Sequence, residues 1–194
     1  MRVNEIFYSL QGEGFHTGTP AVFVRFSGCN LMCAFCDTEH DTYEDLSEEE
    51  IVDRVACYPA QMVVITGGEP ALQLTESLVD KLHQENLFVA VETNGTMPLP
   101  QNIDWITLSP KQLFVGEKGR VVLPYADEVK VIFDGKHSPY EMLGSIDTDN
   151  LFLQPCDTGN KQQNAEIIAQ CVDFVKQNPE WRLSLQTHKL IGIQ

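Results

Sequence analysis

The sequence predicts an α/β fold, an incomplete (β/α) barrel of about six parallel strands with few helices, formed by one domain spanning residues 1–194. Three observations predict it. Short β-branched and aromatic runs alternate with segments of helical periodicity, an order that pairs strands in parallel through right-handed crossovers. Residues 93–104 hold two prolines and a glycine and leave no room for a crossover helix, so the barrel is trimmed. Polar clusters stand where the strands finish, the edge at which barrels and open α/β sheets bind ligands. A flavodoxin-like open sheet is the alternative arrangement.

The expected strands are 21–26, 62–66, 88–92, 105–109, 128–133, 151–155 and 182–186. Several are continuous apolar runs, as in strands covered on both faces. Helix 47–56 opens with a capping box from Ser47 to Glu50 and turns Ile51, Val52 and Val55 inward. Helix 74–85 carries Leu74, Leu78, Val79 and Leu82 on one side. Lys161–Gln177 places Ala165, Ile168, Ala169, Val172 and Val175 at helical spacing.

Bulk properties narrow the function. The length suits one sizeable core. With 13 basic against 28 acidic residues the net charge is −15, which repels a phosphate backbone and disfavours nucleic acid while leaving small anionic ligands open. The N-terminus lacks the apolar core of a secretory signal, and apolar stretches such as 87–91 are too short to span a bilayer. A cytoplasmic protein without a membrane partner is expected.

Of six cysteines, three crowd into the segment Cys29–Cys36, a layout that reads as metal binding. Cys29, Cys33 and Cys36, in CxxxCxxC spacing with Phe35 before the last, can hold three corners of a 4Fe–4S cubane and leave the fourth iron for S-adenosylmethionine (SAM). Reductive cleavage of SAM then yields a 5′-deoxyadenosyl radical, chemistry that belongs to the cofactor, so no side chain is assigned as catalytic. The competing reading is structural zinc, with His40 completing a Cys₃His set. Cys57, Cys156 and Cys171 read as core or near-core residues.

The strand-end clusters are the cysteine loop, Thr66-Gly67-Gly68-Glu69-Pro70, Glu92-Thr93-Asn94-Gly95, Ser109-Pro110-Lys111, Gln154-Pro155-Cys156-Asp157 and Gln186-Thr187-His188-Lys189. They predict one shared site. Gly67 and Gly68 let backbone approach a ligand, Pro70 suits a helix start, and Glu69 with nearby carbonyls offers a corner for the methionyl ammonium. A tight strand–helix turn explains the glycines but not the acid. The run Gly12-Glu13-Gly14…Gly18 precedes a strand and fails the dinucleotide fingerprint, and 116–120 lacks the residues of a phosphate loop. Arg25 shares a strand face with Ala21 and Phe23; its charge calls for an anionic ligand or a structural carboxylate.

Leu10-Gln11-Gly12-Glu13-Gly14, Cys36-Asp37-Thr38, the Thr66–Pro70 turn, Glu92–Gly95, Ser109–Lys111, Gln154-Pro155 and Leu185–Lys189 together resemble the 7-carboxy-7-deazaguanine synthases, small radical-SAM enzymes of the 7-deazapurine (queuosine) pathway. The resemblance implies ring contraction of 6-carboxy-5,6,7,8-tetrahydropterin with loss of ammonia and regeneration of SAM. It implies that Phe35, Cys36, Asp37, Gly68, Ser109, Pro110, Lys111 and Gln154 through Asp157 contact SAM. Leu10, Gln11, Gly12, Arg25, Thr66, His188 and Gln194 are implied to contact substrate, with Arg25 on its carboxylate and Gln194 acting through its main chain. Thr38 is implied to place its hydroxyl on Mg²⁺, which keeps several waters. A homodimer and an external donor of flavodoxin or ferredoxin type follow in the same way. The match is weakest over 112–126 and 140–144. A glycyl-radical activating enzyme shares the cysteine loop but needs neither the LQGEG start nor the QTHK end.

Overall fold

The computed structural model describes every residue except Asp37, His40 and Asp41. Among the described residues nine strands form one sheet, in the order β3-β1-β2-β4-β5-β6-β7-β8-β9. They are β1 (Arg2–Leu10), β2 (Pro20–Phe26), β3 (Glu44–Asp45), β4 (Met62–Gly67), β5 (Phe88–Thr93), β6 (Trp105–Leu108), β7 (Tyr125–Phe133), β8 (Asp147–Pro155) and β9 (Trp181–Leu183). From β2 to β9 every neighbour pairs in parallel, while β1 joins β2 antiparallel and β3 joins β1 antiparallel. The sheet is not a closed barrel. Among the described residues no strand pairing joins β9 back to the β1 side.

The seven expected strands all form, with shifted ends. The last is only Trp181–Leu183, because Gln186 already caps the following short helix. β1 was not expected. It is polar on parts of both faces and carries a bulge between Val3 and Glu5, so its alternation is broken where a period of two would reveal a strand.

Helices cover the outer face. α1 (Glu48–Ala56) begins at Ser47 with both bonds of the capping box, and α2 (Glu76–Gln84) is capped by the Thr75 hydroxyl on Leu78 N at 3.1 Å. Ile51, Val55, Leu78, Val79 and Leu82 pack with Val22, Val24, Phe26, Val63 and Ile65 in one core. Two short helices, α3 (Gln112–Val115) and α4 (Pro139–Leu143), precede α5 (Lys161–Gln177), and α6 (Thr187–Ile191) lies near the C-terminus. On α5 the buried residues are Ile167 and Cys171, not the expected stripe; Ile168 and Val172 are exposed. The inward face is set by where Trp181 and Leu153 lie, which periodicity in an all-round mildly apolar helix does not reveal. Cys156 and Cys171 are buried as expected, whereas Cys57 is exposed.

On the concave face Ala21, Phe23, Val64 and Ala90 form an apolar floor. The sheet is left open on one side, and there the loop after β1 meets the chain end. Thr187 donates to Gly12 O from its backbone N at 3.0 Å and its hydroxyl at 2.7 Å, and Ser9 Oγ donates to Gln194 O at 2.6 Å. Phe15 and His16 of the same loop pack against Trp105, Phe15 tilted and His16 edge-on.

Candidate active site

A cavity of about 360 Å³ lies on the concave face and reaches the C-terminal ends of the parallel strands. β2 delivers Arg25 and the cysteine loop, β4 delivers Thr66 and the glycine turn, and β6 delivers Ser109 and Lys111. β8 ends in Gln154, Pro155, Cys156 and Asp157, which form another wall. Leu10, Gln11 and Gly12 enter from the other side, facing His188 and Gln194 across the open seam. Cys29, Cys33, Phe35, Cys36, Thr38 and Gly68 complete the upper rim.

Two expected contacts fall outside the cavity. Glu69 is fully buried, and its carboxylate accepts from Thr93 Oγ1 (2.7 Å), Asn94 N (2.8 Å) and Ala71 N (3.0 Å). Burial raises its pKa, and those three donors oppose the rise. It ties the glycine turn to the end of β5. Pro110 does not line the cavity; it lines a separate groove against α4. Asp37, expected beside SAM, and His40, the imidazole of the zinc reading, lie outside the described residues.

The strand-end loops are stitched together. Gly68 N donates to Phe26 O at 3.1 Å and Glu69 N to Gly28 O at 2.9 Å. This approach requires glycine at 68, since an added Cβ would overlap the Gly28 carbonyl oxygen. Asn94 Nδ2 donates to Asn30 Oδ1 at 3.0 Å, fixing the cysteine loop to the Glu92–Gly95 turn. Phe35 packs edge-on against Phe114 of α3, with ring centres 4.6 Å apart.

Three thiols without disulfides face this rim. Burial pushes Cys29 and Cys33 up, and Lys111 opposes the rise at Cys33. Three thiols on one short loop suit a cubane, because each sulfur binds a different iron. Thr38 offers one hydroxyl beside the cysteines, which suits a largely hydrated Mg²⁺.

Sequence reasoning missed a buried charge network on the cavity floor. Lys130 of β7 pairs with Glu13 and lies 3.7 Å from Glu92 Oε1. Gln11 Nε2 donates to Glu92 Oε1 at 2.9 Å and Gln186 Nε2 to Glu13 Oε1 at 2.9 Å. Burial opposes the charge on Lys130, yet Glu13, Glu92 and Glu128 outweigh it and hold its pKa above that of ordinary lysine. Burial also acts to raise Glu13, but Lys130 and the glutamines lower it overall. The signal that was present is the lysine at the centre of the run 128–133, an odd residue for a buried strand.

A family model described as the Radical SAM superfamily matches residues 23–111. The chain is 52% identical over 194 residues to a protein of Bacteroides thetaiotaomicron named 7-carboxy-7-deazaguanine synthase, covering 100% of this chain and 98% of that protein. A protein of the same name from Haemophilus influenzae is 40% identical, covering 98% of this chain and 92% of its own length. The crystal structure of QueE from Escherichia coli superposes with a TM-score of 0.80 at 30% identity, covering 96% of this chain and 94% of that one.

Proposed function

This chain belongs to the 7-carboxy-7-deazaguanine synthase family of radical SAM enzymes, and we propose that its strand-end cavity contracts the ring of 6-carboxy-5,6,7,8-tetrahydropterin with loss of ammonia. The observation that carries this reading is that the three-cysteine rim and Arg25 face one cavity. When bound, the 4Fe–4S cluster and SAM supply the carbon radical that starts the reaction.

The chain's own residues bind, orient and exclude water. Gly68, Phe35, Ser109, Lys111 and the stretch from Gln154 through Asp157 form the SAM side of the cavity, with Glu69 and Pro110 supporting it from behind. Arg25 receives the substrate carboxylate; Leu10, Gln11, Gly12, Thr66, His188 and Gln194 surround the pterin. Glu92 Oε1 is engaged by Gln11, and its carboxylate presents acceptor capacity to the N–H groups of a 2-amino-4-oxopyrimidine edge. Lys130 holds the Glu13 carboxyl below its ordinary range in this buried floor and lies 3.7 Å from Glu92 Oε1. Thr38 would hold Mg²⁺ near the substrate carboxylate.

A homodimer, an external flavodoxin- or ferredoxin-type donor, a single domain and a cytoplasmic location complete the reading. Among the described residues no helix is long and apolar enough to cross a membrane, and the thiols of Cys29, Cys33 and Cys36, outside any disulfide, suit a reducing compartment.

Anaerobically purified protein is expected to be brown, with about four irons and four sulfides per chain. Supplied with reductant, SAM, Mg²⁺ and the carboxylated tetrahydropterin, it is expected to release 7-carboxy-7-deazaguanine. An intact cluster that yields no such product removes this assignment; a colourless zinc protein removes the radical chemistry as well.

A further inference from the structure

The bulge in β1 has a consequence for Arg25. On the outer side Val3 opposes Phe26 and Ile6 opposes Val24, all within the helix-covered core. With strict alternation Val3 and Glu5 would share that face. Instead one extra residue, Asn4, is inserted, and Glu5 turns to the concave face directly opposite Arg25, next to the Phe7–Phe23 pair. The insertion is held in place. Asn4 Nδ2 donates to Thr42 O at 2.8 Å and to Thr42 Oγ1 at 2.9 Å.

Both oxygens of Glu5 are then engaged. Oε1 accepts from Arg25 Nε at 2.8 Å, and Oε2 accepts from Gln194 Nε2 at 2.7 Å. Among the described residues the two Nη nitrogens of Arg25 make no hydrogen bond, and the side chain lines the cavity. A guanidinium is a rigid planar fork, so fixing Nε fixes the direction in which the Nη edge points. That edge is the one that grips a carboxylate with two parallel bonds.

We propose that Glu5 is a positioning residue that aims the Nη edge of Arg25 at the substrate carboxylate, with the Asn4 bulge as the device that brings it there. This rests on the reading that Arg25 receives that carboxylate. Charge alone predicts the opposite effect of removing Glu5. A carboxylate beside Arg25 cancels positive charge that would attract an anion, so its loss would tighten binding if orientation did not matter.

The test uses cluster-loaded enzyme carrying Glu5→Ala, Glu5→Gln, Arg25→Ala or the pair Glu5→Ala with Arg25→Ala. Glu5→Ala is expected to raise KM for the carboxylated substrate about tenfold while kcat changes less than about twofold. Inhibition by tetrahydropterin lacking the carboxylate should stay unchanged. Glu5→Gln, which keeps an acceptor oxygen for Nε, should recover most of the loss. The double variant should bind no more weakly than Arg25→Ala. Iron content and circular dichroism report whether each variant is folded. An unchanged or lowered KM for folded Glu5→Ala, or equal weakening toward both pterins, overturns the proposal. An Arg25→Ala enzyme that still prefers the carboxylated pterin overturns instead the reading of Arg25 on which it stands.

Discussion

Glu128 shows how burial alone can reverse the expected behaviour of a side chain. Its carboxyl is buried on β7 and accepts from Phe15 N at 2.8 Å. Desolvation pushes its pKa up to about 7, against the pull of Lys130 and the Phe15 N–H. Between the ordinary carboxyl value and that pKa the folded chain holds a proton that the unfolded chain has released. Stability therefore falls as pH rises through this window and levels off above about 7. Glu128→Gln keeps an acceptor for Phe15 N and removes the titration. Its Tm should match the parent near pH 4 and exceed it increasingly up to about pH 7, followed by thermal circular dichroism at stepped pH. A constant Tm difference across that range would show that Glu128 is not the titrating group. Glu69 carries a related lesson. Its place after two glycines marks it as functional in the sequence, and in the structure its carboxylate accepts three bonds that hold loops together.

At the level of helices and strands, local chemistry and packing differ in how far they can be read. The Ser47 capping box is written in four adjacent residues and forms as expected, Ser47 N donating to Glu50 Oε2 at 2.8 Å and Glu50 N to Ser47 Oγ at 3.2 Å. Ser47→Ala should cost about 1 kcal/mol. In a chain of this size that corresponds to a fall in Tm of about 2–4 °C, measured by calorimetry on the cluster-free protein. A fall below about 1 °C would mean that α1 is held by Ile51 and Val55 in the core with little help from its cap. The buried face of α5 and the existence of β1 were not legible. Each depends on packing against another element, Trp181 of β9 under α5 and Phe26 of β2 against Val3. The edge-to-face cluster of Phe35, Phe114 and His137 is of the same kind, three rings from three segments supporting the cysteine loop.

Across the whole molecule the charge balance sets the response to salt. A net charge of −15 makes the folded chain repel itself, while the Lys130 cluster is shielded inside. Raising NaCl from about 0.01 M to about 0.15 M shortens the Debye length from about 30 Å to about 8 Å. The Tm of cluster-free protein at pH 7 should rise by a few degrees. A falling Tm would mean that surface pairs such as Lys81 with Glu48 outweigh the repulsion.

The parallel sheet and the meeting of its strand-end loops and three cysteines at one cavity could be read along the chain. Hydrophobic runs, capping residues and ligand spacings act over a few residues and need no distant partner. Folding was needed to assemble the buried lysine with its two glutamates, to turn Glu5 toward Arg25, and to seal the open side of the sheet with Gly12 against Thr187. These arrangements depend on strand register and on how far the sheet curls. Both are settled by packing between segments from 20 to more than a hundred residues apart, for which local sequence carries no marker.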